Sequence, residues 1–137
     1  MEIDLVLNYA IEKIKKTMRL REFPHITNNN IWQTTSDGYW TGGFWIGLLW
    51  WAYKITEDEL FKKEAYRWLG LLEKRKISRT FDLGFIFTPS FVLGYKMTSD
   101  MHLRKVALEA AETLLTTYNE KLELMYDEMI INGKKFG

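Results

Sequence analysis

The feature that most constrains this chain is a repeat. Residues 43–55 are apolar on every face. A short turn, Thr56-Glu57-Asp58, leads into residues 58–76, which set Phe61, Ala65, Trp68 and Leu72 on one side and charges on the other. The same order returns at 84–97, at Thr98-Ser99-Asp100 and at 101–119, where the stripe is Leu103, Ala107, Ala110 and Leu114. Gly43-Phe44 matches Gly84-Phe85 at an offset of 41, whereas Lys54, Thr56, Asp58, Lys63 and Ala65 match Lys96, Thr98, Asp100, Lys105 and Ala107 at an offset of 42. One extra residue near Pro89 accounts for the difference, and a proline inside a helix predicts a local distortion. Two helices recurring every 42 residues or so form a repeat architecture. A helix that is apolar all round is buried on all sides, whereas a striped helix faces water along one side. The pairing predicts two layers, an inner ring of buried helices and an outer ring facing solvent. That suits a closed α/α toroid better than a HEAT-like stack, whose two helices are both amphipathic. The fold class expected is all-α, with helical hairpin repeats in a single domain over 1–137.

Residues 2–19 add an amphipathic helix with Ile3, Leu7, Ala10 and Ile14 at helical spacing. Residues 20–42 break the pattern with Phe23-Pro24-His25, Asn28-Asn29-Asn30, Ser36-Asp37-Gly38 and Gly42-Gly43, which is loop chemistry. A loop this long in a compact chain is usually functional or disordered. Its Trp and Tyr content argues for ordered and functional. Residues 122–137 read as an extended segment or hairpin leading onward.

Composition excludes several classes. Nineteen basic against eighteen acidic side chains leave a net charge of +1, which argues against a strongly electrostatic nucleic-acid binder. With no cysteine, disulfides, thiolate metal sites and cysteine nucleophiles are out. The two histidines, His25 and His102, lie 77 residues apart, so no metal site is expected. The longest apolar run, Gly43 to Tyr53, is too short for a bilayer, which takes about 20 residues. No secretory leader is evident, so neither a membrane nor an export role is expected, and a cytoplasmic location is.

Aromatic residues number 21, and nine of them fall within residues 23–53. They build either a large aromatic core or a platform for sugars, whose apolar C–H faces stack on flat rings. The polar residues of each unit cluster just before the apolar helix, at 36–43 and at 80–84. Stacked repeats would bring both clusters, and both inner-helix N-termini, to one end of the toroid. Asp82 there is either a helix cap or a carboxyl group at the mouth of an aromatic pocket. Asp37-Gly38 suits a turn. His25 is a candidate ligand or a loop anchor, and His102 sits among charges on an outer helix. Glycosidic chemistry wants two carboxylates about the reacting bond, and only Asp82 is well placed.

Phe23-Pro24-His25, the run Asp37-Gly38-Tyr39-Trp40-Thr41-Gly42-Gly43-Phe44-Trp45, and Asp82-Leu83-Gly84-Phe85 together resemble the start of the unsaturated glucuronyl hydrolases, glycoside hydrolase family 88. The resemblance covers nearly the whole chain, in order. It implies part of an (α/α)6 barrel acting on oligosaccharides that end in a 4,5-unsaturated uronic acid. It implies no metal or organic cofactor. In that family an aspartic acid protonates the C4=C5 bond, water adds at C5, and the hemiketal so formed opens with loss of the glycosidic bond. Two aspartates matter; the first matches Asp82, and Trp40 matches a tryptophan of the substrate site. Trp45 and His25 join it as expected substrate contacts. Phe81 stands where the family usually has histidine, and the second aspartate belongs to a later helix. The chain is therefore expected to be an incomplete fragment, inactive alone, pairing with itself or with a complementing C-terminal fragment. The other reading is a noncatalytic carbohydrate-binding or partner-docking helical fragment.

Overall fold

The computed structural model describes residues 2–125, 129–131 and 134–136. Its helices are α1 (Glu2–Thr17), α2 (Gly42–Thr56), α3 (Glu59–Leu72), α4 (Leu83–Phe87), α5 (Leu93–Thr98) and α6 (Met101–Leu115). A 3-10 turn, Glu73–Ile77, extends α3, and a π turn, Thr88–Val92, joins α4 to α5 as one helical stretch. That stretch and α2 are the two inner helices, flanked by α3 and α6. The two-layer repeat expected from the sequence is present. Trp50 on α2 and Trp68 on α3 are both fully buried, so the layers share one core.

The turns between inner and outer helices are the same object twice. Thr56 and Thr98 each donate a hydroxyl to the carbonyl four residues back, at 2.8 Å, and each accepts the N–H of the residue two on, at 3.2 Å. Glu57 and Ser99 take the left-handed conformation that ends a helix. Asp58 and Asp100 then cap α3 and α6 by accepting the N–H groups of Leu60 and His102.

The π turn contains the extra residue of the second unit, because a π turn is one residue wider than the α turn it replaces. Pro89 forces it. Proline has no N–H to give to the Phe85 carbonyl, and its ring crowds the preceding turn. The carbonyls so freed face α2. Ser90 Oγ donates to the Ile86 carbonyl, and the buried Trp50 indole N–H donates to the Ser90 carbonyl at 2.9 Å. Gly43 lies against this backbone. A Cβ there would come within 2.5 Å of the Phe85 carbonyl oxygen and closer still to that of Ile86. Only glycine permits the approach.

Three expectations change. Residues 23–35 are not loop but a hairpin, β1 (Phe23–Asn28) with β2 (Ile31–Thr35), turned by Asn29 and Asn30, both at positive φ. That is the two-residue turn whose twist suits a hairpin, and asparagine tolerates it. On α1 the buried side chains are Ile11 and Ile14; Ile3 and Ala10 face solvent, so α1 docks by its C-terminal half. Finally, α2 is not buried on all sides. Phe44, Leu48, Trp51 and Ile55, one stripe at helical spacing, are each about half exposed. Beyond α6, β3 (Tyr118–Asn119) pairs with β4 (Leu124–Met125), and β5 (Met129–Ile131) with β6 (Lys134–Phe136), in line with the extended reading of this stretch. Tyr126 and Asn132-Gly133, also part of that reading, lie outside the described residues.

An ionic network ties the 3-10 turn to α6. Lys76 bridges Glu73 at 3.0 Å and Glu109 at 2.7 Å, and His102 Nε2 lies 3.0 Å from Glu73. Burial raises the Glu73 pKa, but hydrogen bonds from Lys76 and His102 outweigh it and leave the carboxyl below its usual range. The bond from Lys76 lowers Glu109 likewise. Carboxylates with depressed folded-state pKa values stabilise above their unfolded pKa of about 4.3, and that stability is lost as pH falls through the folded value. Thermal unfolding followed by circular dichroism should therefore show the melting temperature falling as pH drops from about 5 towards 3. Glu73→Gln should flatten that limb, and an unchanged slope would dismiss the network as a contributor.

The glycines give a second test. Gly43→Ala should cost about 1–3 kcal/mol, as overpacking against backbone does. Gly70, on α3 with nothing within 4 Å of a Cβ, is the contrast. Gly70→Ala should stabilise by about 0.5–1 kcal/mol. Urea denaturation of both variants measures the difference, and a neutral Gly43→Ala would disprove the close approach.

Candidate functional site

The N-termini of α2 and α4 lie side by side, as the Gly43 contact with Phe85 and Ile86 requires. The loops before both inner helices thus reach the same end of the fold. Asp37 makes the first loop. Its Oδ1 accepts the Tyr39 N–H at 3.0 Å and its Oδ2 pairs with Arg75 at 2.7 Å, while Gly38 sits at a φ of 81°. This is a turn tied to the 3-10 segment, and it presents Tyr39 and Trp40 outward.

His25 is aimed by a bulge. The β1–β2 register skips a residue between Pro24 and Ile26, which leaves His25 unpaired and turned off the strand. Its Nδ1 lies 2.9 Å from Thr41 Oγ1, so the hairpin is pinned to the residue that opens α2. Thr41 makes no side-chain cap of its own helix. The His25 ring stands edge-on to Tyr39 at 5.3 Å and to Trp40 at 6.0 Å. Trp40 in turn meets Phe44 at 6.4 Å, and Phe44 meets Phe85 at 6.0 Å. These rings make a continuous, partly exposed aromatic path from the hairpin to α4.

Two concavities flank the path, with Phe44 common to both. One, of about 390 Å3, lies between α1, the hairpin and α2, and has His25, Trp32, Trp40 and Trp45 in its wall. The other, of about 610 Å3, is an open groove over Phe44, Trp51, Phe81, Gly84 and Phe85. Trp45 is nearly closed off, at 4% exposure, edge-on to Trp68 at 6.1 Å. Its indole N–H is buried with no hydrogen-bond partner.

Asp82 stands at the cap position just before α4, but its side chain does not cap the helix. Its backbone N–H donates to Thr80 Oγ1 at 3.2 Å, and Thr80 Oγ1 approaches Asp82 Oδ2 at 3.3 Å. Asp82 is half-buried, and its chain neighbours Phe81 and Gly84 line the open groove. The structure thus gathers His25, Trp40 and Trp45 around one cavity, whereas Asp82 lines neither concavity. His102 is exposed on α6 and pairs with Glu73, far in the chain from either loop. Among the described residues no three of His, Asp and Glu come together as metal ligands. Sequence reasoning passed over Trp51, and it gave Thr41, Thr80 and Phe85 no role beyond their place in the polar clusters and the motif. The half-exposed stripe of α2 points to Trp51, and the offset of 41 from Phe44 points to Phe85.

No protein-family model matches the chain. Curated relatives do. It is 34% identical over 123 residues to an unsaturated chondroitin disaccharide hydrolase of Streptococcus pneumoniae, covering 82% of this chain and 31% of that protein. It is 38% identical over 86 residues to an unsaturated glucuronyl hydrolase of Formosa agariphila, covering 61% of this chain and 22% of that protein. Among solved structures, an unsaturated glucuronyl hydrolase from Streptococcus agalactiae superposes with a TM-score of 0.72 at 32% identity, over 84% of this chain and 32% of that one. The chain spans about a third of the length of the relatives it matches. In sequence and fold it corresponds to the N-terminal part of the unsaturated glucuronyl hydrolases, glycoside hydrolase family 88.

Proposed function

We propose that this chain supplies the aromatic wall and one carboxylate of a glycoside hydrolase site of the unsaturated glucuronyl hydrolase type. The reaction is hydration of the C4=C5 bond in oligosaccharides that end in an unsaturated uronic acid. The observation that carries the reading is the exposed ring path His25–Trp40–Phe44–Phe85, which ends three residues along the chain from Asp82. Trp40 offers a face for the sugar ring, and His25, oriented by Thr41, offers its remaining ring nitrogen to a hydroxyl. Trp45 backs this wall. Asp82, oriented by Thr80, accepts a hydrogen bond from the uronate. Names of relatives support the substrate class: chondroitin disaccharides for the streptococcal proteins, and a structure described as a complex with dGlcA-GalNAc6S.

A second reading, sugar binding without turnover, is favoured by one residue. Phe81 puts a half-exposed phenyl ring next to Asp82, where the family pattern has an imidazole. An apolar neighbour neither donates to the carboxylate nor shuttles a proton.

Titration with an unsaturated chondroitin disaccharide, followed by tryptophan fluorescence, tests binding. Saturable quenching is expected, weakened about tenfold in Trp40→Ala, since losing about 50–60 Å2 of apolar contact at roughly 25 cal/mol per Å2 costs about 1.4 kcal/mol. Absence of any response would end the reading. Loss of the double-bond absorbance tests turnover. The chain alone should show none above background, because general acid–base help is worth about 10²–10⁴-fold and Asp37, the other carboxylate of the two loops, is held by Arg75. Robust turnover abolished by Asp82→Asn would mean that a second carboxylate lies within these 137 residues.

A further inference from the structure

The Gly43 contact draws the N-termini of α2 and α4 together, and the loops ahead of them come within reach of one side chain. That side chain is Arg75, in the 3-10 turn that follows α3, with only 14% of it exposed. Its Nη1 donates to Asp37 Oδ2 at 2.7 Å, and its Nε donates to Ser78 Oγ at 3.0 Å. Asp37 stands six residues before Gly43, and Ser78 stands six before Gly84. They are the same position of the two units at the offset of 41. One guanidinium therefore holds equivalent points of both loops.

Each end of this bridge continues to a candidate site residue. On the first loop, Asp37 Oδ1 accepts the N–H of Tyr39, the neighbour of Trp40, at 3.0 Å. Gly38, between them, is buried beside Leu72 and Phe23. On the second loop, the Ser78 carbonyl accepts the Thr80 N–H at 3.1 Å. The Thr80 hydroxyl then meets both the N–H of Asp82, at 3.2 Å, and its carboxylate, at 3.3 Å. A hydrogen-bonded line thus runs from Tyr39 through Asp37, Arg75, Ser78 and Thr80 to Asp82.

We propose that Arg75 is a positioning residue of the candidate site. It fixes the loop carrying Trp40 against the loop carrying Asp82, and so sets the arrangement that a sugar meets. In that last step the proposal rests on the sugar-site reading given above. Arginine suits the task because its planar fork presents several donors in fixed directions, whereas a lysine ammonium is a single point. Stability alone does not account for the pair. Asp37 is 44% exposed, and ion pairs open to water contribute little. What the guanidinium supplies is direction. Lys76, next in the chain, is the contrast: its ion pairs go to Glu73 and Glu109 and tie the same turn to α6, away from both loops.

Two-dimensional 1H–15N spectra of the whole chain test the coupling, and titration with an unsaturated chondroitin disaccharide tests its consequence. Ser78→Ala lies on the second loop, yet it should move the Tyr39 amide and the Trp40 indole signals on the first. Asp37→Asn should move the Thr80 and Asp82 amides in return. Arg75→Met should do both, and should weaken sugar binding roughly three- to tenfold at a temperature where the variant is fully folded. Trp40→Ala should then cost less in the Arg75→Met background than in the unaltered chain, because the stacking geometry is already lost. Lys76→Met is the control: it should lower the melting temperature while leaving the loop signals and the affinity in place. Cross-loop signals that stay still in both Ser78→Ala and Asp37→Asn would overturn the proposal, even with sugar binding intact. So would additive losses from Arg75→Met and Trp40→Ala. A chain that takes no sugar would refute the reading of the site, and the cross-loop signals would still decide whether Arg75 couples the loops.

Discussion

The relative position of the two loops that carry the candidate site residues depends on one backbone contact, Gly43 against the carbonyls of Phe85 and Ile86. Helices packed through ordinary side chains keep their axes about 8–10 Å apart. A glycine lets them come closer, and here the carbonyls it meets are exposed because Pro89 and the π turn have disturbed the hydrogen bonds they would otherwise enter. The Trp50 indole adds a second donor to the Ser90 carbonyl, which already accepts the Leu93 N–H, and so ties the two helices together. Phe44 and Phe85 then lie 6.0 Å apart, and the loops carrying Trp40 and Asp82 open at the same end. The proline that looks like a defect in the second unit is therefore what makes its carbonyls available to the first.

Much of this was legible in the sequence because repeats encode geometry twice. The Thr-x-Asp turns at 56–58 and 98–100 are chemically identical at their two anchoring positions, and they form the same hydrogen bonds. The jump in offset from 41 to 42 put an extra residue and a distortion near Pro89, and the π turn lies there. The hairpin was not legible to the same degree. Pro24 and the asparagine run read as loop by propensity. Two adjacent asparagines at positive φ instead make a tight turn, and one bulge absorbs the irregularity at His25. The local chemistry was read as loop, because the strands on either side have too few apolar residues to show an alternation.

The candidate site was legible by residue type and not by arrangement. Asp82 occupies a cap position without capping, a distinction that only the Thr80 hydroxyl decides. Trp45 sits in the same run as Trp40 and is chemically the same side chain. The helical turn sends one to the surface path and the other into the core against Trp68. Period alone could separate them only with the direction of the core already known.

The apolar character of α2 needs a reading different from burial on all sides. Of its four faces, one meets α3, one meets the π turn, one is met by α1 and the hairpin, and the fourth carries Phe44, Leu48, Trp51 and Ile55 half in water. Leaving such side chains exposed forfeits roughly 25 cal/mol for each Å2 not buried, and nothing in the helix itself compensates. A solitary domain gains nothing from that arrangement, since polar residues at those positions would serve its fold equally well. The sequence instead keeps leucine, isoleucine and tryptophan where the surface is open. That pattern is what a repeat unit shows when its hydrophobic face is written for neighbours on both sides and for a ligand across its end.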